Sequence, residues 1–107
     1  MPDKILIVAR LASGGADEVA RLFAESDAGE LPRALGVTRR DLFLYRDLYF
    51  HHVEFDGPAG AAMDQARRRD DFRELSDRLG AFVTPYDPDT WRSPADAMAR
   101  RFYHWEG

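Results

Sequence analysis

A chain of 107 residues, 45% hydrophobic and 32% charged, has the size and balance of one folded domain, so a single domain over residues 1–107 is expected. A net charge of −4 argues against general affinity for nucleic-acid phosphates, and the run Arg67-Arg68-Arg69 is answered at once by Asp70-Asp71. The absence of cysteine excludes disulfides and thiolate chemistry, leaves any metal site to His, Asp and Glu, and fits a reducing cytoplasm.

Ile5 to Val8 is too short for a membrane span and lacks the layout of a signal peptide, so neither membrane nor export is expected. Lys4 to Arg10 reads as a strand buried on both faces. Ser13-Gly14-Gly15 breaks it without the spacing of a dinucleotide fingerprint, and Val19, Leu22 and Phe23 then recur at helical spacing. The pattern predicts a helix of about three turns, in a segment that Pro32 brings to an end. Arg39 to Tyr45 and Leu48 to Phe55, separated by Arg46-Asp47, read as a β-hairpin. Gly57-Pro58 closes it, and the Ala-rich stretch from Ala59 leads into a second helical segment carrying Phe72, Leu75 and Leu79, stopped by Gly80. Pro85, Pro88 and Pro94 mark a loop-rich region, and Phe102-Tyr103-His104-Trp105 suits a closing strand.

Strand, helix, strand, strand, helix, strand is the α+β, ferredoxin-like split βαβ order, with a four-stranded antiparallel sheet and helices on one face. Leu48 and Phe50 point away from Tyr49, Val53 and Phe55, so both sheet faces carry bulky apolar groups. One face needs cover from elsewhere, and a homodimer joined sheet to sheet would supply it.

Three polar residues fall on faces that should be apolar. Asp27 follows Phe23 by four residues, which extends the inward stripe onto a carboxylate beside Ser26, or else turns it to solvent at a helix end. A two-residue turn at Arg46-Asp47 pairs Tyr45 with Leu48, Leu42 with His51 and Arg40 with Val53. Arg40 and His51 become diagonal neighbours, roughly 7 to 8 Å apart at the backbone, on the face shared with Leu42 and Val53. A snorkelling arginine and a satisfied core histidine are the bland alternatives. Adjacent His51 and His52 point to opposite faces and cannot readily ligate one ion together, so no metal site is expected, and His52 falls at a dimer contact or sheet surface. His104, with Tyr103 and Trp105, reads as ordinary aromatic packing. No phosphate loop or serine nucleophile elbow appears, which argues against nucleotide cofactors.

The series Asp27, Glu30-Leu31-Pro32, Gly36-Val37, Arg39-Arg40, Leu42-Phe43, Asp47-Leu48-Tyr49, His51 and Glu54 resembles the tetracenomycin-type polyketide cyclase family. Phe72, Thr84-Pro85-Tyr86, Phe102-Tyr103 and Trp105 continue the resemblance over nearly the whole chain. It implies a dimeric ferredoxin-like fold of the α+β barrel type, a cavity between sheet and helices, and ring closure of a polyketide by aldol condensation and dehydration with no cofactor. Asp27, Arg40 and His51 match the family's proposed functional positions. Where family members can carry a histidine before the aspartate this chain has Ser26, which removes any two-histidine mechanism but can hold a substrate oxygen.

Together these readings place a polyketide, free or tethered to an acyl carrier protein, in a cavity lined by Ser26, Phe23, Leu42, Val53, Tyr103 and Trp105. His51 would move protons, Arg40 would stabilise developing oxygen charge, and Asp27 would orient them or act as a second acid or base. Two alternatives remain open at this level: a cofactor-free monooxygenase acting on an anthrone, and a non-catalytic polyketide-binding module.

Overall fold

The β-branched run Ile5 to Val8 builds β1 (Asp3–Leu11), around which the sheet is arranged. The computed structural model of the chain describes residues 3–92 and 94–107. β1 pairs antiparallel with β3 (Leu48–Phe55) along its length and with a two-residue β4 (Val83–Thr84) at its end. β2 (Val37–Tyr45) lies on the far side of β3, which gives the order β2-β3-β1-β4. The fold is α+β with four antiparallel strands and helices, as the pattern predicts.

Arg46-Asp47 is a two-residue turn, with Arg46 in the left-handed region at φ 57°. It sets the predicted register: Tyr45 faces Leu48, Leu42 faces His51 and Arg40 faces Val53. The ladder slips between Val37 and Arg39, the mark of a bulge near the start of the strand. Along β3 the alternation is complete, with Tyr49, His51, Val53 and Phe55 buried and the residues between them half-buried on the outer face. Phe43 and Tyr45 leave that outer face exposed at 57% and 60%, so it keeps an apolar surface that the chain's own helices do not cover.

The helix α1 (Ala16–Asp27) buries Val19, Leu22 and Phe23 at the predicted spacing. It stops at Asp27, ahead of Pro32. That proline sits in the first turn of a short α2 (Leu31–Leu35), where a missing N–H leaves no bond unmade. Gly36 ends α2 at φ 75°, and a side chain there would run into the Asp56 carboxylate. Its carbonyl accepts the Asp56 N–H at 2.8 Å, which ties the start of β2 to the end of β3.

The second helical stretch is two helices rather than one, α3 (Ala59–Ala66) and α4 (Asp70–Leu79). The arginine run separates them: Arg68 and Arg69 N–H groups close the turn on Gln65 and Ala66 carbonyls, and Arg69 then extends the chain. Asp71 fastens the new start by bonding both the Arg69 guanidinium and the Phe72 N–H. The break lets α3 pack its buried alanines close while α4 turns Phe72, Leu75 and Leu79 toward the sheet.

The closing strand is a correction. The fourth strand is Val83–Thr84, and Phe102 to Trp105 form no strand; Tyr103 and Trp105 are 75% and 73% exposed. Aromatic residues favour strands only where a half-buried surface receives them. Here one edge of β1 is taken by β3 and the other by β4 and by a bridge from Met98 to Ile7. Among the described residues no helix is long and apolar enough to cross a membrane.

Candidate active site

Between the inner sheet face and the helices lies a cavity of about 290 Å³. Each helix contributes to its wall, through Phe23 of α1, Leu35 of α2, Met63 of α3 and Leu75 of α4, and Trp91 adds an indole from the loop after β4. Ile7 and Val53 form the floor. Against this apolar lining stand Arg40, Tyr49 and His51, one from β2 and two from β3.

Arg40 joins the predicted trio. Its Nε donates to both Asp27 carboxylate oxygens at 3.2 and 3.1 Å, and Nη2 donates to Oδ1 at 2.9 Å. Nη1 meets His51 Nε2 at 2.8 Å. A guanidinium has donors and no acceptor, so Nε2 must present its lone pair and a neutral ring carries its proton on Nδ1. Asp27 stands at the outer side of this fork, 37% exposed at its side chain against 14% for Arg40. Phe23 braces the assembly: its ring meets the His51 ring edge-on at 5.0 Å and lies 4.8 Å beneath the Arg40 guanidinium.

Burial, then the positive Arg40, then His52, lower the His51 imidazole to about 3, so it is neutral across the working range. The unfolded chain protonates this ring near 6.5, and between the two values it binds more protons than the folded chain. Stability therefore falls as pH drops through that window, by up to about 1.4 kcal/mol per pH unit from this group. Urea unfolding at about pH 7 and about pH 4.5 should show a larger acid loss for the native protein than for His51→Gln, which cannot titrate. Equal losses would mean that the imidazole is not held neutral by its site.

Phe23 and Val53 line the cavity as the sequence predicts. Leu42 packs against the neighbouring core of Ala9, Val19 and Tyr49 and stays out of the lining. Ser26 is corrected: one residue from Asp27 is a large step around a helix, and Ser26 lies with Leu22 and Glu25 in a shallow depression between α1 and α4. Tyr103 and Trp105 are corrected too, since the terminal segment runs past Lys4, Leu6 and His52 on the outer sheet face. His51 and His52 point to opposite faces, and among the described residues no group of three His, Asp or Glu side chains could hold a metal ion.

Tyr49 and Trp91 were missed. Tyr49 sits two residues before His51 and so shares its face by strand alternation, a signal present in the sequence. Trp91 reaches the cavity from a loop, where no periodicity announces it.

Comparison with known proteins identifies the family and the shared fold. Residues 3–106 match the family described as polyketide synthesis cyclase. An uncharacterised protein of Streptomyces coelicolor is 50% identical over 102 residues, covering 94% of this chain and 92% of its own. Tetracenomycin F2 cyclase of Streptomyces glaucescens is 41% identical over 105 residues, covering 98% and 95%. A solved structure of that cyclase, described as a type-II polyketide cyclase, superposes with a TM-score of 0.89 at 40% identity over 98% of each chain. A protein of Streptomyces cyaneus named polyketide synthase CurG is 48% identical over 101 residues, covering 94% of each chain. With the family spanning nearly every residue and the fold shared throughout, the chain belongs to the polyketide synthesis cyclases.

Proposed function

We propose that the protein closes an aromatic ring in a poly-β-ketone by intramolecular aldol condensation and loss of water, without a cofactor, in type II polyketide biosynthesis. The observation that carries this reading is a neutral imidazole, hydrogen-bonded to a guanidinium, inside a largely apolar cavity.

Methylene groups between two ketones enolise readily, so the chemical problem is selecting which carbon attacks which carbonyl. The cavity bends the chain and turns ring closure into a positioned intramolecular event. As the new carbon–carbon bond forms, the enol gives up its hydroxyl proton and the attacked carbonyl oxygen takes one. No net base is consumed, and elimination of water then completes the ring. His51, through Nδ1–H, polarises the attacked carbonyl as a neutral imidazole does in a site that suppresses its protonation. Arg40 holds Nε2 and places positive charge beside the developing alkoxide. Asp27 acts as a positioning residue, fixing the guanidinium by its two-pronged contact. On this reading a second copy covers the outer sheet face and completes a dimeric α+β barrel.

The test is reconstitution with a ketosynthase pair and carrier protein under nitrogen. Addition of the chain should yield a new aromatic ring, and His51→Gln should slow its formation by about 10²-fold. Product formation that requires oxygen would identify an anthrone monooxygenase instead. An unchanged product spectrum, with binding alone weakened in the variant, would identify a binding module.

A further inference from the structure

We infer that the Tyr49 hydroxyl is a second hydrogen-bond donor to the bound chain, gripping a ketone oxygen neighbouring the one at His51 and so selecting which carbonyl is attacked. The inference rests on the cyclase reading above. Tyr49 is only 5% exposed, packed among Ala9, Leu11, Val19 and Phe23, and it lines the cavity. A phenol in such surroundings ordinarily finds a partner for its hydroxyl. Among the described residues no protein group bonds it, and no side-chain oxygen or nitrogen is sealed from solvent without a partner. The hydroxyl therefore keeps open surface, and the free space this residue borders is the cavity.

Its ring centre lies 6.2 Å from that of His51, two residues along the same strand. Burial raises its ionisation well above the ordinary range, with Arg40 pulling more weakly the other way, so the phenol stays a donor throughout the working range. A poly-β-ketone repeats its carbonyl at every second carbon, and a chain held at one oxygen could slip by one repeat and close a different ring. Two donors on one rigid strand forbid that slip.

Tyr49→Phe removes the hydroxyl and keeps the ring. Its urea midpoint should be unchanged or higher, because the lost group bonds nothing in the protein. Emodin, a hydroxyanthraquinone with ketone and phenol oxygens on fused rings, should bind about five- to tenfold more weakly by quenching of tryptophan fluorescence. Reconstituted reactions should yield additional, differently closed rings. Native affinity with a single native product overturns the inference while leaving the cyclase reading intact, and so does a lowered midpoint, which would mean the hydroxyl is held within the fold. A native protein that neither binds emodin nor forms a ring sinks the cyclase reading, and this inference with it.

Discussion

On the proposed mechanism, Arg40→Met should lower the rate of ring closure by about 10²- to 10³-fold, the cost of removing positive charge beside the developing alkoxide. The methionine keeps an apolar stem but loses the cation over the Phe23 ring and the three-way fork to Asp27 and His51. Histidine titration followed by NMR supplies an independent reading. The His51 ring should rise from about 3, since the Arg40 charge is one cause of its depression, yet stay below its ordinary value because burial is the larger cause. Folding should weaken by about 1–3 kcal/mol, mostly because His51 Nε2 is left buried without a donor. Arg40→Lys should recover little activity, since an ammonium cannot span both partners in one plane. Wild-type turnover in a folded Arg40→Met protein would remove arginine from the chemistry and leave cavity shape as the source of selectivity.

Phe23→Ala should be the most damaging single change to the fold, costing about 3–5 kcal/mol. The ring is 6% exposed, joins the core of Ala9, Val19 and Tyr49, and at the same time borders the cavity. It also braces His51 edge-on and carries the Arg40 guanidinium on its face. A urea midpoint shifted downward at unchanged slope measures this cost. Phe23→Leu preserves most of the volume and should cost less than about 1.5 kcal/mol, while removing the π-face beneath the guanidinium. Reduced ring closure in this leucine variant would separate the bracing role from packing. A loss well under 1 kcal/mol in the alanine variant would mean that the cavity collapses to fill the gap.

The hairpin shows how much of the site was readable in advance. A two-residue turn and strict alternation leave one register that buries Tyr49, Val53 and Phe55 together, and that register puts Arg40 beside His51. The spacing of Val19, Phe23 and Asp27 carries the carboxylate to the same place. Ser26 failed because one residue is a large step around a helix and turns its side chain away from that of Asp27. The aromatic terminus has strand character locally, but the strand edge it would need is already paired.

Turn length and residue alternation are local quantities, and by themselves they determined the hairpin pairing and the placing of Arg40 beside His51, while helical spacing offered Asp27 and left its direction open. Tertiary structure decided what depends on elements distant in the chain. The Arg67–Arg69 break aims α4 at the sheet, β4 takes the edge of β1, and Trp91 closes the cavity from a loop. The protonation of His51 belongs to that second group, because burial and a facing charge exist only once the walls of the cavity have come together.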